Sequence, residues 1–176
     1  TDFKDFTHLT EQAEPRAVIE ELNDHFSAFD DIAVRHGLEK IKTIGDAYLC
    51  VAGLPERNRA HAPNACAAAI DIRDYIARAN ANREKMGLPR WDMRIGLHSG
   101  GVVAGVVGKN KFTYDIWGDA VNVAALMEAH AEPGQILLSK STFNQVRDQF
   151  DLEFREEADT GKKGLIRCYT LEGRKD

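Results

Sequence analysis

Lys40-Ile41-Lys42-Thr43-Ile44-Gly45-Asp46-Ala47-Tyr48-Leu49-Cys50-Val51-Ala52 reads as two short strands, 40–45 and 47–52, folded about Gly45-Asp46. Strands this close cannot be joined by a parallel crossover, which needs about a dozen residues or more. Gly53-Leu54-Pro55 ends the second strand. Upstream, Val18, Ile19, Leu22, Phe26, Phe29 and Ile32 recur at helical spacing over 15–36, and Gly37 is a natural stop. Downstream, 64–85 reads as a second long helix. Residues 93–98 and 102–107 read as another strand pair, turning at Ser99-Gly100-Gly101. A helix over 119–130, a strand over 135–139, a helix over 141–148 and strands over 152–156 and 166–171 complete the series. Helices mixed with closely spaced strand pairs predict an α+β fold, with helices packed on a mixed sheet.

The 176 residues suit one domain spanning 1–176, with 43% hydrophobic and 29% charged residues. No apolar run approaches the roughly 18 residues of a membrane span, so no membrane contact is expected within this segment. Thr1-Asp2-Phe3-Lys4 does not open a signal peptide, and a cytoplasmic location is the default expectation. Thr1-Asp2-Phe3 looks like the end of a strand, so the chain is expected to be cut from a longer protein, whose upstream regions and membrane tethering it does not reveal. The net charge of -5 argues against a nucleic-acid partner. An acidic chain must bind a polyanion through local cations, metals or helix N-termini. Cys50, Cys66 and Cys168 fit neither a disulfide framework nor a zinc cluster, and read as free thiols.

Asp2 precedes a helix start and Asp46 sits in the turn between two strands. If the strands are neighbours, the carboxylates converge as two hard oxygen ligands, which suits Mg²⁺. The plainer alternative is a turn former and a helix cap. The amides of Phe6 and Thr7 at that helix start could receive phosphate oxygens. The glycine-rich run 96–108 is not a phosphate loop, because Val103 and Asn110 stand where that motif needs glycine and a hydroxyl. No zinc spacing of histidines and no Gly-x-Ser-x-Gly elbow occurs.

Four segments, in order, resemble one family. Asp2-Phe3-Lys4-Asp5-Phe6-Thr7 and Lys42-Thr43-Ile44-Gly45-Asp46 are similar to the two metal motifs of class III nucleotide cyclases. Arg94-Ile95-Gly96-Leu97-His98-Ser99-Gly100 resembles their central strand. Tyr114-Asp115-Ile116-Trp117-Gly118-Asp119-Ala120-Val121-Asn122-Val123-Ala124 resembles their base-recognition and catalytic segment. The resemblance implies a ferredoxin-like βαββαβ core, with helices on one face of a mixed sheet and a smaller extension. It implies a head-to-tail homodimer with composite sites. One subunit supplies Asp2, Asp46 and the carbonyl of Phe3 to two Mg²⁺ or Mn²⁺ ions, and Phe6 and Thr7 amides to the triphosphate. The other supplies Lys42 and Asp115 to the base, and Asn122 to the ribose.

On that assignment, Lys42 only donates and ionised Asp115 only accepts, which matches adenine N1 and its 6-amino group and mismatches guanine. The substrate expected is ATP, converted to 3′,5′-cyclic AMP and pyrophosphate. Leu126 stands where the family usually places an arginine, one helical turn after Asn122. Three readings follow: a cation such as Lys109 or Lys111 reaches in, the enzyme is slow until regulated, or the domain binds nucleotide without turnover. Lys162, rather than Lys163, is expected to contact the triphosphate. An interaction domain that binds neither nucleotide nor metal is the remaining alternative.

Overall fold

The computed structural model describes residues 1–12, 14–161 and 164–175. In chain order the elements are β1 (Asp2–Phe3), α1 (Phe6–Gln12), α2 (Pro15–Arg35), β2 (Leu38–Ile44), β3 (Ala47–Ala52), α3 (His61–Lys85), β4 (Met93–Leu97), β5 (Val103–Val107), β6 (Thr113–Trp117), α4 (Asp119–His130), β7 (Ile136–Ser139), α5 (Lys140–Val146), β8 (Phe150–Asp159) and β9 (Leu165–Arg174). Among these, no helix is long and apolar enough to cross a membrane.

The main sheet has five strands in the order β1-β4-β7-β9-β8. β4 and β7 run parallel, and the other neighbours run antiparallel. β2 and β3 form the hairpin read from residues 40–52, and Gly45 takes the left-handed conformation (φ 61°) its turn demands. The amide of Tyr48 donates to the carbonyl of Thr1 at 3.0 Å, which ties β3 to β1. The series from β1 to β4 is thus the βαββαβ core, in a class III cyclase fold.

Two expectations need correction. β4 does not pair with β5. Its two edges are taken by β1, at Asp2↔Arg94, and by β7, at Ile95↔Ile136. β5 instead pairs with β6, a strand the sequence reading passed over, from Val103↔Trp117 to Val107↔Thr113. The helices also lie on both faces of the sheet rather than one. Along β7 the side chains alternate. Ile136 and Leu138 join the large core with Phe29 of α2, Ile72 of α3 and Val146 of α5. Leu137 faces the other way, into a smaller cluster with Met127 of α4, Ala158 and Cys168. Helix α3 also begins three residues earlier than expected, because Pro63 falls in its first turn, where a missing N–H costs nothing.

The cysteines are free, and burial pushes the Cys66 thiol up to about 12 and the Cys50 thiol up to about 11. Such thiols are inert at neutral pH, as a packing role requires.

Gly96 in β4 is the tightest point of the fold. A Cβ there would lie 2.1 Å from the Glu128 amide and 2.3 Å from the Ala124 carbonyl. Both are backbone atoms of α4, so no side-chain rotation relieves the clash. Gly96→Ala is expected to lower unfolding free energy by about 3 kcal/mol or more, read from urea denaturation. A loss below about 1 kcal/mol would show that α4 can lift off β4 at little cost.

Candidate active site

Asp2 is held from behind by Phe3, which is buried against Trp91, His25 and Phe29, with ring centroids at 5.1, 5.6 and 6.5 Å. Asp46 follows Gly45 in the β2–β3 turn. Because Tyr48 is bonded to Thr1, this turn sits beside β1. The two carboxylates therefore face each other. Burial, then the charge of Asp2, pushes the Asp46 carboxyl above its ordinary range, although amides of Asp46 and Phe3 donate to it. The Asp2 carboxylate accepts from Arg94 Nη2 at 3.1 Å.

Two partly buried carboxylates with excess negative charge form a hard oxygen donor set that fits a divalent ion. Among the described residues no group of three or more His, Cys, Asp or Glu side chains could hold a metal. The donor set is then the size that Mg²⁺ uses, with water and phosphate oxygens filling the rest of its shell.

Asp5 adopts a left-handed conformation (φ 55°) between β1 and α1. It turns the chain so that α1 opens at Phe6, and the Phe6 and Thr7 amides lie in its first turn, next in sequence to Asp2. Of the amides in that turn, the Leu9 N–H donates to the Asp5 carbonyl at 3.1 Å.

The second grouping lies where β2 meets β6. Lys42 Nζ donates to Asp115 Oδ2 at 2.6 Å. Asp115 Oδ1 accepts from the Ile116 amide at 2.8 Å. The Lys42 ammonium and then this amide hold the Asp115 carboxyl below the usual carboxylate range. Asn122 is exposed on α4, and Leu126, one turn later, is half-buried against the Met127–Leu137 cluster. Lys109 and Lys111 stand exposed beyond β5, at the tip of its hairpin with β6. Lys162 and Lys163 lie outside the described residues.

The arrangement agrees with one family across its whole length. The model of the adenylate and guanylate cyclase catalytic domain matches residues 1–173. The chain belongs to that family. It is 38% identical over 174 residues to an adenylate cyclase of Mycobacterium tuberculosis (strain ATCC 25618 / H37Rv), covering 99% of this chain and 38% of that protein. It is 39% identical over 180 residues to guanylyl cyclase C of Cavia porcellus, covering 100% of this chain and 16% of that protein. Its fold superimposes with a TM-score of 0.89 on the guanylate cyclase domain of RhGC from Catenaria anguillulae, solved in complex with GTP. That pair is 33% identical, with 99% of this chain and 93% of the other covered. The chain thus spans well under half the length of these curated relatives.

Two groups of this cyclase domain escaped the sequence reading. Arg94 of β4 reaches Asp2, and its Nε stands 2.9 Å from Glu128 Oε1 of α4. Arg94 was read only as part of a central strand. A half-buried arginine in an otherwise apolar strand, six residues before a glutamate-bearing helix segment is reached in space, has no local sequence signature.

The raised Asp46 carboxyl makes a prediction with a definite sign. A carboxyl whose folded pKa lies above its unfolded value stabilises the fold only while protonated, and that stability is lost as pH rises through the folded value. With EDTA present, Asp46→Asn is expected to melt higher than the parent at pH 7. The difference should vanish below the unfolded carboxylate value of about 3.9. An equal or lower melting temperature for the variant at pH 7 would remove the charge-repulsion argument.

Proposed function

We propose that residues 1–176 form the catalytic domain of an adenylyl cyclase, which converts ATP to 3′,5′-cyclic AMP and pyrophosphate at composite sites of a head-to-tail homodimer. The observation that carries this reading is the Lys42–Asp115 pair at 2.6 Å. A donor and an acceptor stand side by side, as N1 and the 6-amino group do on adenine. Guanine reverses both polarities, and a site that leaves polar groups unpaired discriminates by several powers of ten.

Asp2 and Asp46, with the Phe3 carbonyl, hold two Mg²⁺ or Mn²⁺ ions in this reading. Ions so held supply Lewis-acid activation of the ribose 3′-hydroxyl and charge neutralisation on the departing pyrophosphate. The chain's own groups do the rest. Phe6 and Thr7 amides receive triphosphate oxygens. Lys42 and Asp115 bind the base, and Asn122 holds the ribose in line with the α-phosphorus, which replaces a search over orientations by one bound geometry. Lys162 contacts the triphosphate.

A second copy of the chain is supported by an exposed apolar set on and beside the β5–β6 hairpin. Val103, Val106, Val107, Phe112 and Trp117 are exposed there, with Ile44 at the end of β2. This set is continuous with the strands that carry Lys42 and Asp115, and a contiguous apolar surface of this kind is a common mark of an interface. In a twofold dimer each site draws one half from each subunit.

Leu126 favours a second reading, a domain that binds nucleotide with little turnover. Its side chain packs into the α4 cluster and carries no charge to the phosphorus oxygens.

Cyclic product should be measured with ATP and with GTP, in Mg²⁺ and in Mn²⁺, over a range of protein concentrations. Preference for ATP in kcat/KM of about 10²-fold or more is expected, together with loss of specific activity on dilution. Lys42→Glu with Asp115→Cys should move the preference toward GTP. Equal use of both nucleotides by the parent would defeat the base-pairing argument. Leu126→Arg should raise kcat by about 10²-fold if a missing transition-state cation limits the rate. If it leaves kcat unchanged or lower, the shortfall lies elsewhere, and metal-dependent ATP binding without any turnover would favour the second reading.

A further inference from the structure

Arg94 stands between two acids that belong to different halves of the site. Its Nη2 donates to Asp2 Oδ2 at 3.1 Å, on β1. Its Nε lies 2.9 Å from Glu128 Oε1, on α4. The second contact is unlike the first. Arg94 Nε and Glu128 Oε1 are both shut off from solvent, yet neither makes a hydrogen bond of acceptable direction. Two buried, oppositely charged atoms at hydrogen-bond distance but out of line represent an interaction that is available and unmade. Leaving such atoms unpaired is costly, so something must hold the guanidinium away from alignment. The bond to Asp2 does so.

We infer that Arg94 is a resident counter-cation for Asp2 in the metal-free protein, and that divalent metal entry transfers it from Asp2 to Glu128. The inference rests on the reading of Asp2 and Asp46 as metal ligands. Without metal, the guanidinium offsets part of the charge that Asp2 and Asp46 share. A divalent ion at Asp2 neutralises the carboxylate and repels the arginine. A small rotation then aligns Nε–H on Glu128 Oε1, satisfying both orphaned atoms. Glu128 is held at the right height by the contact of its own backbone with Gly96, whose ideal Cβ would lie 2.1 Å from the Glu128 amide. Glu128 is therefore a positioning residue acting on the metal site through Arg94. Since α4 also carries Asn122, the exchange ties the metal-binding half of a protomer to its ribose-binding half.

The test is Mn²⁺ binding to the nucleotide-free chain, read by electron paramagnetic resonance of the free ion. Arg94→Gln removes the competing cation and should tighten Mn²⁺ by about tenfold. Glu128→Gln removes the acceptor that draws Arg94 away, and should weaken Mn²⁺ by about tenfold. The double variant should bind as tightly as Arg94→Gln alone, because Glu128 acts only through the arginine. Arg94→Gln binding no more tightly than the parent, or a double variant as weak as Glu128→Gln, overturns the inference. A parent whose Mn²⁺ affinity is indifferent to Asp46→Asn instead overturns the metal reading, and this inference with it. A measurement on the parent chain guards against misfolded variants. The Arg94 Nε–H resonance, assigned by its loss in Arg94→Lys, should move and exchange more slowly with water as Mg²⁺ is added. An unchanged signal at saturating Mg²⁺ sinks the transfer.

Discussion

Helix α4 lies directly on strand β4 because Gly96 has no side chain, and the placement of the other groups follows from that contact. β4 has no free edge, with β1 on one side and β7 on the other. It has no free face either. Met93 and Ile95 are buried in the large core, and Gly96 accepts the backbone of α4 on the opposite side. One strand thereby sets the height of Asp2 through β1 and the heights of Asn122, Leu126 and Glu128 through α4. An error of one residue in this register would exchange the two faces and bring an apolar side chain into the helix backbone.

Charge distribution makes the two halves of the site different in kind. The Asp2–Asp46 corner is under-compensated. The Asp46 carboxyl is raised by burial and by its neighbour, and Arg94 is the printed cationic partner of Asp2. The Lys42–Asp115 grouping is balanced, with the Asp115 carboxyl held low by the ammonium and by a backbone amide. A corner with surplus negative charge is poised for a cation. A neutral pair of one donor and one acceptor is poised for a polar ligand that carries both complements. These preferences come from the local surroundings of four side chains, not from the net charge of -5.

Leu126 shows how a position can be structurally sound and chemically altered at once. As a leucine it adds to the cluster around Met127 and Leu137, and the helix loses nothing by it. The family's arginine at that place would carry a charge toward the reacting phosphate instead. The stability of α4 and the rate of the reaction therefore depend on the same side chain in opposite senses. A family match across residues 1–173 describes the fold and the inherited site. It does not describe how fast a site with that exchange turns over.

What the sequence determined by itself was local. Gly45-Asp46 between two strand runs specified the β2–β3 hairpin, helical spacing specified α2, and α4 was read over the same 119–130 span that the fold shows. The ordered motifs also marked Asp2, Asp46, Lys42, Asp115 and Asn122. The partner of each strand was decided only in three dimensions. β5 was read as pairing with β4, and it pairs with β6, because strand pairing depends on which edges remain open once the long-range neighbours are in place. The Arg94–Glu128 contact was equally unreadable. It joins residues from a strand and a helix that meet only because Gly96 lets their backbones approach, and no spacing in the chain encodes an absent side chain's partner.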